Sequence, residues 1–164
     1  MSTIPTMIKA WEFNRGRTTN LLDLIEKTGK ADAILGYRPG AGRAHIAWQI
    51  MHVGITEELF ATQRLKGTDP AYAELVPRFK GGSVPDDHIP SLSQIRDVLA
   101  QARAHLIETV SGFSESDLGT IPPAFAERGW NIGQLLNVIA WHEGHHQGQA
   151  HITFNLWKAG QPAT

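Results

Sequence analysis

Six of the eight histidines fall in two short stretches: His45 and His52 in AHIAWQIMHVGITEELFATQRLKG, and His142, His145, His146 and His151 in NIGQLLNVIAWHEGHHQGQAHITFNLWKAG. Imidazole is the commonest protein ligand for divalent metals, and two imidazoles four residues apart on one helix face can reach the same ion. His142 and His146 have that spacing. At about 100° per residue they share a face with Leu135, Ile139, Ala150, Thr153 and Trp157, and His145 sits at its edge. The sequence has no cysteine, so metal ligands are restricted to His, Asp and Glu. Any thiol chemistry must then use a thiol brought in by a substrate or cosubstrate.

A zinc-type catalytic site takes three protein ligands and keeps one position open. His52 is the best third ligand, because it faces inward on a different helix and is bracketed by Trp48, Ile55 and Leu59. His45 lies seven residues earlier, about 10 Å along the axis. That is too far for both to bind one ion, and it suits His45 better to a pocket wall. Glu143 has two readings of equal weight: a partner or base beside the metal, or a charge paired with a neighbouring arginine. HEGHH also matches the H-E-x-x-H signature of zinc peptidases. Against a peptidase, Gly148 and His151 each fall one residue early for the extended form, and no downstream carboxylate follows Glu143.

The elements that must position these residues are helices. Asn131 and Gln134 form a capping-box pair, Gly160 and Pro162 give a stop, and apolar residues lie nearly all round the helix between them, which predicts a buried helix. A first helix is predicted from about Pro5 to Lys27, and a second from about Arg43 to Lys66, with Glu57 and Glu58 pointing away from the core. A third begins after Ser91, with Gln94 at its third position. The breaker-rich stretches Gly29 to Gly42 and Lys66 to Pro90 read as loops. The second of these carries Asp86, Asp87 and His88 and suits the wall of a pocket. His88 and His105 read as surface residues, and Trp11, Trp48, Trp141 and Trp157 as packing residues. The expectation is an all-α, up-down four-helix bundle forming one domain over residues 1–164.

Composition narrows the function. A formal net charge of −1 over 164 residues gives no basic footprint for nucleic acid. No apolar run approaches the length of a membrane span and no leader pattern opens the chain, so the expected location is cytoplasmic.

The stretches AHIAWQIMHVGITEE and LLNVIAWHEGHHQGQ resemble the two motifs of the DinB-like (YfiT-like) metal-binding four-helix bundles. The helix order, the loop before the third helix and the length agree over nearly the whole chain. The resemblance implies that His52, His142 and His146 bind a divalent metal such as zinc or nickel. It also implies hydrolysis, or transfer or isomerisation with a low-molecular-weight thiol cosubstrate, and in several members a homodimer. Gln147 stands where the family usually has a basic residue after the histidine pair, a departure that bears on which thiol is used. The expected function is a metal-dependent enzyme acting on a small molecule, set against a non-catalytic metal-binding or ligand-sensing bundle. A homodimer is expected through the apolar surface of the last helix, since Trp141 and Ile152 lie well off the histidine face.

Overall fold

Side-chain caps start the later long helices where the sequence places them. In the computed structural model, which describes residues 2–162, Asn131 accepts from the Gln134 amide at 2.9 Å while the Gln134 side chain accepts from the Asn131 amide at 3.0 Å. Ser91 Oγ accepts from the Gln94 amide at 3.2 Å. The helices are α1 (Thr3–Lys27), α2 (Ala31–Leu35), α3 (Ile46–Leu59), α4 (Val76–Phe79), α5 (Leu92–Ser111) and α6 (Ile132–Ala159). A π-helical turn, Phe60–Arg64, prolongs α3, and two 3₁₀ segments, Glu115–Gly119 and Pro123–Arg128, lie between α5 and α6. No strand occurs among the described residues, so the fold is all-α.

The four long helices pack in a closed ring: α1 against α6, α6 against α3, α3 against α5, and α5 against α1. The α3–α5 contact is close enough to need a glycine. A Cβ added at Gly54 would meet Val98 Cγ1 at 2.9 Å, and a β-branched neighbour has little room to yield.

Four charged side chains, one from each long helix, meet in the interior. Arg15 of α1 reaches Glu143 of α6 at 2.7 Å and Glu57 of α3 at 2.9 Å, and Arg103 of α5 reaches the same two carboxylates at 2.5 Å. Burial works against the Arg103 charge, but Glu57 and Glu143 outweigh it and raise its pKa above the ordinary arginine value. The ring of two guanidiniums and two carboxylates is neutral as a unit, which is how four buried charges can be tolerated.

Several features differ from the sequence expectation, among them the helix α2 inside the stretch Gly29 to Gly42. The helix buried on every side is α3, in which every residue from Ile46 to Leu59 is buried, whereas α6 buries one face and leaves Trp141, Ile152 and Leu156 exposed. The reason lies in the neighbours: α3 has α5, α6, α2 and the α4 region around it, while the outer face of α6 has no helix against it. For the same reason Glu57 and Glu58 do not point away from the core but are 2% and 1% exposed. Glu58 accepts from the Ala71 amide at 2.8 Å and from His105 Nδ1 at 3.1 Å, which makes His105 a half-buried partner rather than a free surface residue.

Candidate metal centre

His52 comes from α3, and His142 and His146 come from successive turns of α6. One nitrogen from each of the three lies within 4.8 Å of the others. The Nε2 atoms of His52 and His142 are 3.1 Å apart. Tetrahedral coordination at the usual Zn–N length would separate two ligand nitrogens by about 3.3 Å, so the spacing fits a shared ion.

The ring tautomers fit as well. His52 Nδ1 donates to the Phe79 carbonyl at 2.6 Å, and His146 Nδ1 donates to Gln49 Oε1 at 2.5 Å. With Nδ1 acting as the donor, the lone pair of each ring is on Nε2, the arrangement that metal-ligating histidines adopt when an outer oxygen orients them. Gln49 is itself oriented, because its Nε2 donates to Gln149 Oε1 at 3.1 Å, which turns Oε1 toward His146. The Trp48 indole lies flat on the His52 ring at 4.7 Å, and its Nε1 donates to the Arg78 carbonyl at 3.1 Å.

Burial, followed by the neighbouring imidazoles, pushes the His142 pKa down to about 2; burial, followed by His52 and His145, pushes that of His146 down to about 3. Burial lowers that of His52, outweighing the Phe79 carbonyl. All three rings are therefore neutral at pH 7, the form that binds a metal ion. Among the described residues no carboxylate joins this group.

His45 and His145 have other partners. His45 is the N-cap of α3: its Nδ1 accepts from the Trp48 amide at 3.0 Å and its Nε2 donates to the Asp86 carbonyl at 3.0 Å, so it is a buried cap and not part of the trio. His145 is exposed, stacks on Trp141 at 4.9 Å and contacts Gln149. The Glu143 carboxylate, for which sequence allows either a metal-side role or an arginine pair, is taken up by Arg15, Arg103 and the Thr18 hydroxyl at 2.8 Å.

A cleft of about 490 Å³ reaches His52 and His142. Gly81, from the loop before α5, forms part of its wall, whereas Asp86, Asp87 and His88 of the same loop do not line it. The Pro123–Arg128 segment supplies more of the wall, including Phe125 and Arg128. The loop itself is tied down by Arg78, which pairs with Asp86 at 2.8 Å, and by Arg38, which pairs with Asp87 at 2.9 Å. Sequence reasoning missed Gln49, Arg64 and Arg128. Gln49 could have been found from its place one helical turn before His52, where a polar residue interrupts an apolar run.

No helix among the described residues is long and apolar enough to cross a membrane. No curated protein matches the chain significantly. Residues 10–150 match the family described as the DinB superfamily, and that span includes α3 with its inward histidine and the part of α6 that carries the pair. Over most of its length, and with its histidine trio inside the matched region, the chain belongs to the DinB superfamily.

Proposed function

We propose that the protein is a metal-dependent enzyme acting on a small molecule, by hydrolysis or by transfer from a low-molecular-weight thiol, with a divalent ion such as zinc or nickel on His52, His142 and His146. The observation that carries this reading is a trio of neutral imidazoles, two of them with tautomers fixed by Phe79 and Gln49, beside a cleft and with no carboxylate in the ligand group. A divalent ion held there supplies Lewis acidity and lowers the pKa of a bound water or thiol toward neutrality. The chain's own residues orient the ligands and shield one side of the site: Trp48 covers the His52 ring, and Gln49 and the Phe79 carbonyl hold the ring orientations.

In this reading Glu143 belongs to the interior charge ring. Its oxygens are bound to two arginines and a hydroxyl, which tells against a general-base role and therefore against the peptidase mechanism. The test is turnover by the metal-loaded protein of an electrophilic acceptor with each common low-molecular-weight thiol, beside simple esters and amides without thiol. Metal-dependent turnover that needs one thiol is the expected transferase result, and thiol-independent cleavage is the hydrolytic one. Inactivity in every arm would favour the non-catalytic, ligand-sensing bundle.

A homodimer through the outer face of α6 is part of the same proposal. Trp141, Ile152 and Leu156, exposed by 63%, 60% and 46%, fall on one stripe at helical spacing. Exposed Gly148 lies on the same stripe, and a Cβ there would meet nothing within 4 Å. Sedimentation at micromolar concentration should give a dimer that Trp141→Glu with Ile152→Glu converts to monomer. A monomeric wild type would sink this assignment.

A further inference from the structure

The cleft beside the histidines holds two arginines that have no carboxylate. Arg64 stands at the end of the π-helical turn that prolongs α3, and Arg128 ends the 3₁₀ segment on the opposite wall. Among the described residues the ion pairs engage Arg15, Arg38, Arg78, Arg96 and Arg103, and neither Arg64 nor Arg128.

Three aromatic rings join the two guanidiniums. Arg64 lies over Phe60 at 4.5 Å, Phe60 stacks on Phe125 at 5.9 Å, Phe125 stacks on Trp130 at 6.2 Å, and Arg128 lies over Trp130 at 5.3 Å. The ring faces hold the side chains in place without neutralising them. Burial and, after it, the nearby Arg128 charge lower the Arg64 pKa, as expected where two like charges face a cleft with no counter-charge between them. An anion would remove that cost, and planar guanidiniums suit carboxylate and phosphate oxygens. The other lining residues include Thr56 and the two histidines and the apolar side chains Trp130, Val138 and Trp141, of which Val138 and Trp141 lie on α6 next to His142.

We propose that this cleft binds a small organic anion, whose carboxylate or phosphate group is held by Arg64 and Arg128 and whose apolar body lies along Trp130, Val138 and Trp141 toward His52 and His142. The inference names the substrate class of the enzyme proposed above and rests on that reading for the reacting end alone; the anion end stands on the two arginines.

The experiment is calorimetric titration of the full chain with benzoate and with phenylphosphonate, with benzamide as the uncharged counterpart. It is done on wild type, Arg64→Gln and Arg128→Gln, each with and without zinc, and zinc content is measured in parallel. The expected result is binding of at least one anion in preference to benzamide, weakened about tenfold or more by either substitution, with zinc content unchanged. The better of the two anions identifies carboxylate or phosphate as the natural group. Arg128 is exposed, so its substitution remains informative if Arg64→Gln folds poorly. Equal anion affinity in wild type and Arg128→Gln overturns the proposal, as does binding that needs zinc and ignores both arginines, or no binding at millimolar probe. Arginine-dependent binding in a protein that takes up no zinc would uphold the anion site and sink the metal reading. One equivalent of zinc with arginine-independent binding would do the reverse.

Discussion

His52→Ala, His142→Ala and His146→Ala each reduce bound divalent metal from about one equivalent per chain to near zero, whereas His145→Ala retains it. Elemental analysis after dialysis measures this directly. The expectation follows from convergence: three nitrogens lie within 4.8 Å of one another, and His145 is turned to Trp141 and Gln149 on the exposed side of α6. Gln49→Leu gives an intermediate result. It removes the oxygen that fixes the His146 tautomer and should weaken metal affinity by roughly 10–100-fold without abolishing binding. Metal content that follows His145 and ignores His146 would refute the ligand set.

Arg103→Met should destabilise the fold by about 3–5 kcal/mol, as expected when one member of a buried ion-pair group is removed and its partners remain. Arg103 is 8% exposed and its two carboxylate partners 2% and 1%, so solvent screens little of the loss. Against a total stability of about 5–15 kcal/mol this is a large fraction, and chemical denaturation would show it as a lower midpoint. Glu143→Gln should act in the same direction, because Arg15 and Arg103 both lose a carboxylate charge. If Glu143 were also a base at the ion, its replacement would in addition abolish turnover in the protein that remains folded.

The sequence carried the starts of α5 and α6 and the pairing of His142 with His146 for the same physical reason: both are local patterns. A capping box is read over four residues, and a ligand pair at i and i+4 needs only one helix. His52 required one further step, that an inward residue on a second core helix meets the first pair. What the sequence did not carry depends on neighbours across the bundle. The apolar girth of α6 and that of α3 look alike in one dimension, yet only α3 is enclosed. Glu57 lies on the polar side of its own helix wheel and becomes buried because Arg15 and Arg103 arrive from α1 and α5. Arg64 and Arg128 lie 64 residues apart and share a cleft only through the stack of Phe60, Phe125 and Trp130.

The interior charge ring also bears on how the bundle assembles. One member comes from each of α1, α3, α5 and α6, so a packed assembly lacking any one helix leaves this ring with three of its four charges. Without α6, two guanidiniums face the single carboxylate of Glu57; without α5, two carboxylates face the single guanidinium of Arg15. In either case a buried charge loses a hydrogen-bonded partner, which is costly in a dry core and favours a cooperative transition. Because His142, Glu143 and His146 share α6, the ion pairs of Glu143 also fix the helix that carries two of the three histidines.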